Sequence, residues 1–115
     1  MAYLGEFEEI VLLTVAALDG EGYGVSITRE IETQTGRSVR LNQVHAALHR
    51  LEKKSMVRSH MGDATAERGG RRKRLFAITL YGQKTLTEIK EIRLHLWSLL
   101  PGTSGPATAT PAVSR

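Results

Sequence analysis

The stretch Asn42–Lys53, with the sequence NQVHAALHRLEK, decides the fold. Its apolar residues follow the i, i+4, i+7 spacing of an amphipathic helix, with Val44, Leu48 and Leu51 on one face. Ala47 widens that face. The spacing predicts a helix over about Asn42 to Lys54 that buries this face and turns its amide, imidazole and basic side chains outward.

Two shorter helices are predicted before this stretch, at Phe7–Leu18 and Gly24–Thr35. Apolar residues give the first helix a face for the core, which Leu13 and Val15 widen. A polar, glycine-containing turn separates the two helices, and Gly36 suits the left-handed cap that ends the second.

Beyond the third helix the hydrophobic period changes to that of strands. Met56–Met61 and Arg72–Ile78 are predicted strands, joined by a polar, glycine-containing segment. Thr79 is a predicted N-cap for a long fourth helix that ends near Leu100. Three helices, a hairpin and a last helix make a mainly α (α+β) fold, the winged helix-turn-helix, with the hairpin as the wing.

Positive charge is concentrated in one part of the chain. From Arg37 to Arg74 there are 11 basic and 3 acidic residues, a net of +8, whereas the rest of the chain has 5 basic and 9 acidic residues, a net of −4. A one-sided basic surface attracts polyanions, and nucleic acid is the commonest polyanion inside a cell.

The outer half of the third helix and its N-terminal flank supply the first set of DNA-binding candidates. Amide side chains pair with adenine, Arg with guanine, and a small residue approaches a thymine methyl. The N-terminal part of a recognition helix enters the groove deepest, which favours Asn42, Gln43 and Ala46 as base readers. An ordinary solvated helix face is the alternative for any single residue. The candidates are Arg40, Asn42, Gln43, His45, Ala46, His49, Arg50 and Lys53.

The run Arg68–Arg74, with the sequence RGGRRKR, supplies the second set. Glycines let the backbone approach a phosphate, flanking cations neutralise it, and an arginine can enter the minor groove. Because alternate strand residues face opposite ways, the four consecutive cations cannot all contact DNA. A disordered arm or a solvated loop is the alternative. The wing candidates are Arg68, Gly69, Gly70, Arg71, Arg72 and Lys73.

The fourth helix carries an apolar stripe wider than a small core requires, with the spacing of a coiled-coil seam. We expect a homodimer through this stripe, with packing on its own domain as the alternative. Arg93 within it needs a carboxylate partner or a path to water. Trp97 either anchors the packing or lines an aromatic effector pocket. The interface candidates are Leu86, Ile89, Ile92, Arg93, Leu96, Trp97 and Leu100.

These assignments divide the chain into three parts. Residues 1–79 are the predicted winged helix-turn-helix DNA-binding domain, residues 80–100 the C-terminal dimerisation helix, and residues 101–115 a tail. The tail holds all three prolines, and its composition predicts disorder.

Several classes of function are not expected. The chain has no cysteine, which rules out disulfides and thiolate chemistry and fits a reducing, cytoplasmic location. Ile10–Leu18 is too short to span a bilayer, and the glutamates at positions 6, 8 and 9 disfavour a signal peptide. His45 and His49 lack a third ligand for a metal. We expect no cofactor and no enzyme activity, since the sequence contains no catalytic set and no phosphate-binding loop.

Several short segments match one known family in order and spacing: Leu4-Gly5, Tyr23-Gly24, Thr35-Gly36, Ala47–Glu52, and Gly69-Gly70-Arg71 through Ile78-Thr79 with Gly82. On these segments the chain resembles the PadR family of bacterial transcriptional regulators. The resemblance spans residues 4–100. It implies a winged-helix DNA-binding domain, a C-terminal dimerisation helix and repression at a palindromic operator. In some members a small molecule at or near the dimer interface relieves repression, so such an effector is a further partner that the resemblance suggests.

One departure concerns the start of the third helix. Where the family commonly has Gly-Thr-Leu-Tyr, this chain has Asn42 to His45, so the phosphate contact of the family's tyrosine would pass to His45. The single short C-terminal helix resembles the family's small subtype. The leading hypothesis is a homodimeric repressor that binds double-stranded DNA at a specific sequence. The alternative is a winged-helix module that binds RNA or an acidic protein partner through its basic face.

Overall fold

The computed structural model describes residues 4–63 and 72–102. Every predicted helix and strand is present, and its ends lie within two residues of the predicted ones. The fold class is confirmed as mainly helical with a two-stranded antiparallel sheet. In chain order the elements are α1 (Glu6–Ala17), α2 (Gly24–Thr35), α3 (Leu41–Lys53), β1 (Val57–Met61), β2 (Arg74–Ile78) and α4 (Leu80–Ser98).

The core lies between the first three helices and the hairpin, and the predicted apolar face of α3 is buried in it. For α1 the prediction was partly wrong, because Leu13 is 49% exposed whereas Leu12 is fully buried. The buried face of α1 is centred between Val11, Leu12 and Val15, and at 100° per residue Leu13 lies on the far side of the helix. The core residues are Val11, Leu12, Val15, Ile27, Ile31, Val44, Ala47, Leu48, Leu51, Met56, Val57 and Phe76.

Two predicted helix ends have the expected geometry. Gly36 has φ of 73° and its N–H donates to the Glu32 carbonyl, which ends α2 in the left-handed conformation that glycine adopts most easily. Thr79 precedes α4, and its Oγ1 accepts a hydrogen bond from the Gly82 N–H at 3.0 Å. The same hydroxyl donates to the Ser55 carbonyl at 2.7 Å, so the cap also ties α4 to the end of α3.

The hairpin is fixed to the helical body on one face. Its register pairs Val57 with Ile78 and Met61 with Arg74, and Val57 and Phe76 turn into the core. The Phe76 N–H also donates to the Gly22 carbonyl at 2.9 Å, which joins β2 to the turn before α2. β2, the second strand of the wing, is therefore held to the helical body by both backbone and side-chain contacts.

The two halves of α4 have different surroundings. Gly82 and Thr85 are buried, and Leu86 packs against the core, so the first half lies on the body. From Glu91 to Leu100 every residue is exposed. The predicted tail begins with a turn at Pro101 and Gly102; its remaining residues lie outside the described part of the chain.

The close contact at Gly82 gives a test of how α4 is seated. A Cβ at this position would collide with the Met56 carbonyl oxygen and lie 2.9 Å from Cγ1 of Ile78. We expect Gly82→Ala to lower the free energy of unfolding by about 1–3 kcal/mol, because overpacking outweighs the better helix propensity of alanine. Urea unfolding followed by circular dichroism measures this. Exposed Gln83 supplies the control, and a Gln83→Ala loss equal to that of Gly82→Ala would contradict the steric explanation.

Candidate nucleic-acid interface

The face of α3 opposite the core is exposed along its whole length. Burial of the apolar stripe turns the remaining side chains outward, because the helix is amphipathic. All eight candidates predicted for the recognition helix lie on this face or its flank and are exposed: Arg40, Asn42, Gln43, His45, Ala46, His49, Arg50 and Lys53. The structure thus brings amide, imidazole and cationic groups together on one surface.

Gln43 has a structural contact within this surface. Its Oε1 accepts a hydrogen bond from the Arg40 N–H at 3.2 Å, so the side chain stabilises the first turn of α3. A paired contact with adenine needs both ends of the amide. Gln43 must therefore leave the Arg40 N–H before it can read a base in that way, whereas Nε2 can donate without any change.

His45 rests one edge of its ring on α2. An added Cβ at Gly24 would lie 2.6 Å from Cε1 and 2.9 Å from Nε2 of His45. The missing side chain at Gly24, the first residue of α2, makes room for the imidazole. His45 is thus part of the contact between the two helices, although the residue as a whole is exposed.

Arg50 is held by the carboxylate of Glu8, a residue of α1 that was not among the predicted site residues. The Arg50 Nε donates to Oε2 of Glu8 at 2.6 Å, and Lys54 Nζ donates to Oε1 at 2.7 Å. The Glu8 side chain is 9% exposed. Burial raises the pKa of Glu8, but the hydrogen bonds from Lys54 and Arg50 lower it by more, and the net pKa is below the ordinary value.

A signal for this ion pair was present in the sequence. Glu8 stands at positions i−3, i−4 and i−7 from Val11, Leu12 and Val15, on the stripe that enters the core. A carboxylate on such a stripe requires a cationic partner, because burial of an unpaired charge is costly. Its partners lie 42 and 46 residues away in the chain, so local spacing does not identify them.

The neighbouring glutamates of α1 pair with other parts of the molecule. Glu6 accepts a hydrogen bond from Arg37 Nη1 at 2.8 Å, in the connection between α2 and α3. Glu9 accepts one from Arg93 Nη2 at 2.7 Å, and this bond raises the pKa of Arg93. The carboxylate partner that Arg93 needs is therefore supplied from within the same chain.

Three cations of the basic run Arg68–Arg74 are described, and they lie at the base of the wing. Arg72 Nε donates to the Gly62 carbonyl at 3.0 Å, and Lys73 Nζ lies 4.0 Å from the centre of the Tyr23 ring. Arg74 Nη1 donates to Oγ of Ser59 at 3.0 Å. The other four predicted wing residues, Arg68, Gly69, Gly70 and Arg71, lie outside the described residues.

The predicted interface residues of α4 fall into two groups. Leu86 packs against the core of its own domain and Ile89 is half-buried. The others are exposed, including Leu96 at 55% and Trp97 at 60%. A shallow groove on this part of the helix is lined by Arg93, Leu96, Trp97 and Leu100.

Two kinds of feature are absent from residues 4–63 and 72–102. Within these ranges, no helix is long and apolar enough to cross a membrane. The same residues include no group of three or more side chains suited to hold a metal ion.

An exposed polar second helix in a helix pair, beside a basic hairpin, defines the winged helix-turn-helix class. The model of the transcriptional regulator PadR-like family matches residues 12–88. The chain belongs to this family, which is one of transcriptional regulators rather than of enzymes.

Similar proteins agree with this placement. An uncharacterised protein X from Lysinibacillus sphaericus is 32% identical over 87 residues, which are 74% of this chain and 75% of that protein. The structure of RosR from H. salinarum is 25% identical, with a TM-score of 0.67 over 84% of this chain and 80% of that one. A PadR-like transcriptional regulator from Bacillus cereus shares the fold at 19% identity, with a TM-score of 0.65 over 84% and 93% of the two chains.

The lowered pKa of Glu8 predicts a specific pH dependence of stability. A carboxyl group with a lower pKa in the folded state stabilises that state above the ordinary pKa of 4.5, and this contribution is lost as pH falls through the folded value. We expect Glu8→Gln to lower the free energy of unfolding by about 1–3 kcal/mol at pH 7. The difference from wild type should shrink as the pH falls below 4.5 and through the lower pKa of Glu8 in the folded state.

Urea unfolding at several pH values measures this difference. The matched control is Glu6→Gln, because the Glu6 side chain is 67% exposed and its ion pair with Arg37 lies at the surface. That substitution should change stability by less than about 1 kcal/mol at any pH. A Glu8→Gln difference that stayed constant with pH would contradict the ion pair as its source.

Proposed function

We propose that the protein is a homodimeric repressor that binds DNA sequence-specifically at a palindromic operator, in the bacterial cytoplasm. The observation that carries this proposal is the exposed polar face of α3 beside the basic hairpin, within a segment of net charge +8. Membership in a family of transcriptional regulators supports the same conclusion. Net positive charge supplies general affinity for phosphates, and the face of α3 supplies groups that distinguish bases.

Base recognition is assigned to the N-terminal half of α3. Asn42, Gln43 and Ala46 are exposed there, where a recognition helix approaches the base edges most closely. Arg40, His49 and Lys53 flank them and suit phosphate contacts. The Arg50 side chain is half-exposed, and its Nε donates a hydrogen bond to Glu8. Arg50 would therefore contact DNA from a fixed position. His45 contributes to phosphate binding through the exposed part of its ring.

A second copy of the chain is the proposed partner of α4. The exposed half of this helix presents Ile92, Leu96, Trp97 and Leu100 on one side, which continues the side that packs on the body in the first half of the helix. Burial of large apolar side chains between two such helices would stabilise a dimer. The two copies of α3 would then read half-sites about one helical turn apart. The groove at Arg93 and Trp97 is the place we assign to a small-molecule effector that relieves repression.

Sequence specificity is tested by selection from genomic DNA. Fragments retained by the purified protein are sequenced, and the affinity for the enriched duplex is compared with that for random duplex of equal length. A specific regulator binds the enriched duplex about 10³-fold or more tightly. Equal affinity for both duplexes would overturn the proposal. Tighter binding of single-stranded RNA than of any duplex would favour an RNA-binding module instead.

The role of Asn42 predicts a change in specificity rather than in general affinity. We expect Asn42→Ala to weaken binding to the enriched duplex by about 1–3 kcal/mol and to leave random duplex almost unaffected, since the lost contact is to a base. Fluorescence anisotropy measures both affinities. Gln83→Ala removes an amide from α4 as the control. An equal loss on both duplexes would show that Asn42 is not a base reader.

The dimer proposal predicts a difference between two leucines of α4. Leu96 lies on the apolar side, whereas Leu94 lies about 200° away around the helix. We expect Leu96→Glu to give monomers in sedimentation velocity, because a buried carboxylate destabilises the interface, and Leu94→Glu to remain dimeric. Loss of the dimer in Leu94→Glu alone would move the interface to the other side of α4.

A further inference from the structure

Lys73 and Arg74 are the last two cations of the basic run Arg68–Arg74, and their side chains point to opposite faces of the hairpin. Lys73 immediately precedes β2 and Arg74 begins it, and successive strand residues point to opposite faces. Each of these two side chains is held by a different helix or strand of its own chain. Both are therefore ordered before any DNA is present.

Lys73 is held on the side of α2. Its Nζ lies 4.0 Å from the centre of the Tyr23 ring, well within the range of a cation–π contact. Tyr23 is the residue before α2, and the adjacent Gly22 carbonyl accepts the Phe76 N–H from β2. A side-chain contact and a backbone hydrogen bond thus join the same strand to the entrance of α2.

Arg74 is held on the side of α3. Its Nη1 donates to the Ser59 hydroxyl on β1, and that hydroxyl donates to Oε2 of Glu52 at 2.9 Å. Glu52 stands near the C-terminal end of α3. Two successive hydrogen bonds therefore connect the second strand of the wing, through the first strand, to the recognition helix.

We propose that Lys73 and Arg74 are positioning residues, which fix the angle of the wing against α2 and α3 and do not themselves neutralise phosphates. A two-stranded hairpin is only marginally stable by itself, so its direction has to be set by contacts at its base. Contact with phosphate then falls to the cations that precede them; of these Arg72 is described, and its bond to the Gly62 carbonyl stays within the hairpin and does not join the wing to α2 or α3. This inference rests on the proposed DNA binding, and it changes the role predicted for Lys73.

The salt dependence of binding separates the two roles of a cation. The probe is a mixed-sequence duplex of about 30 base pairs, titrated from about 50 to 200 mM KCl, because each phosphate contact contributes about one unit to the slope of log K against log salt. Arg72→Ala should lower the slope by about one unit. Lys73→Met should weaken binding by about three- to tenfold and leave the slope unchanged.

Tyr23 supplies the matched variants for Lys73. Tyr23→Leu should weaken binding as much as Lys73→Met does, and the double variant no further, because both remove one contact. Tyr23→Phe keeps the ring and should bind as wild type. A slope lowered by about one unit in Lys73→Met, or additive losses in the double variant, would overturn the positioning role of Lys73.

Glu52→Ala tests the positioning role of Arg74, because the two explanations predict opposite changes in DNA affinity. Removal of a carboxylate near DNA strengthens binding if its effect is electrostatic only. If Glu52 positions Arg74 through Ser59, Glu52→Ala weakens binding about threefold or more despite the gain in net positive charge. Glu88→Ala, which removes an exposed carboxylate from α4, is the control. Tighter binding by Glu52→Ala would overturn the positioning role of Arg74.

Failure of this inference is distinguishable from failure of the proposed function. Absence of duplex binding by the wild-type protein would overturn both. Wild-type binding together with unchanged affinity in Tyr23→Leu and Glu52→Ala would overturn the positioning role alone. Urea unfolding of each variant establishes that the compared proteins are folded, and Tyr23→Phe and Glu52→Ala keep the test informative if a larger substitution unfolds the chain.

Discussion

The ion pair between the buried carboxylate of Glu8 and its two cationic partners is the interaction on which the arrangement of α1 and α3 depends. The carboxylate binds Arg50 in the last turn of α3 and Lys54 directly after that helix, and these bonds bring a polar group of α1 into the side of the core. Apolar packing alone leaves a helix free to slide or rotate by small amounts, whereas hydrogen bonds to both oxygens of one carboxylate fix its register. The orientation of the exposed face of α3 follows from this register.

The other two glutamates in the first turn of α1 also form ion pairs with distant parts of the chain. Glu6, Glu8 and Glu9 pair with the connection before α3, with α3 itself and with α4. Three parts of the chain that are far apart in sequence thus meet at one helix end. Exposed ion pairs contribute little stability, so the pair at Glu6 matters mainly for geometry, while the pair at Glu8 contributes to both stability and geometry.

Most of the fold was accessible from the sequence because its signals are local. The stripe of α3, the glycine at position 36 and the cap at Thr79 act within one or two turns, and each is found where it was predicted. The partners of Glu8, Arg93 and Lys73 were not accessible, since they depend on contacts between segments up to 84 residues apart. The error at Leu13 has a related cause, because a continuous apolar run does not show which of its residues face the core.

The same reasoning applies to the site. Exposure of the recognition face was predictable from amphipathicity, but the internal contacts of Gln43, His45 and Arg50 were not. These contacts show that several polar residues on the proposed recognition helix also hold that helix in place. The predicted DNA contacts of all the wing residues, including Arg72 and Lys73, remain predictions.

The notch at Gly24 links the identities of two residues on different helices. His45 occupies space that any side chain at position 24 would fill. In a relative that carries a side chain at position 24, the residue at position 45 has to be smaller than His45 or turned away. If the third helix of such a relative replaced α3 in this chain, the relative's residue at position 24 would have to be transferred with it to restore the contact between the two helices. The residues at positions 24 and 45 are therefore expected to change together.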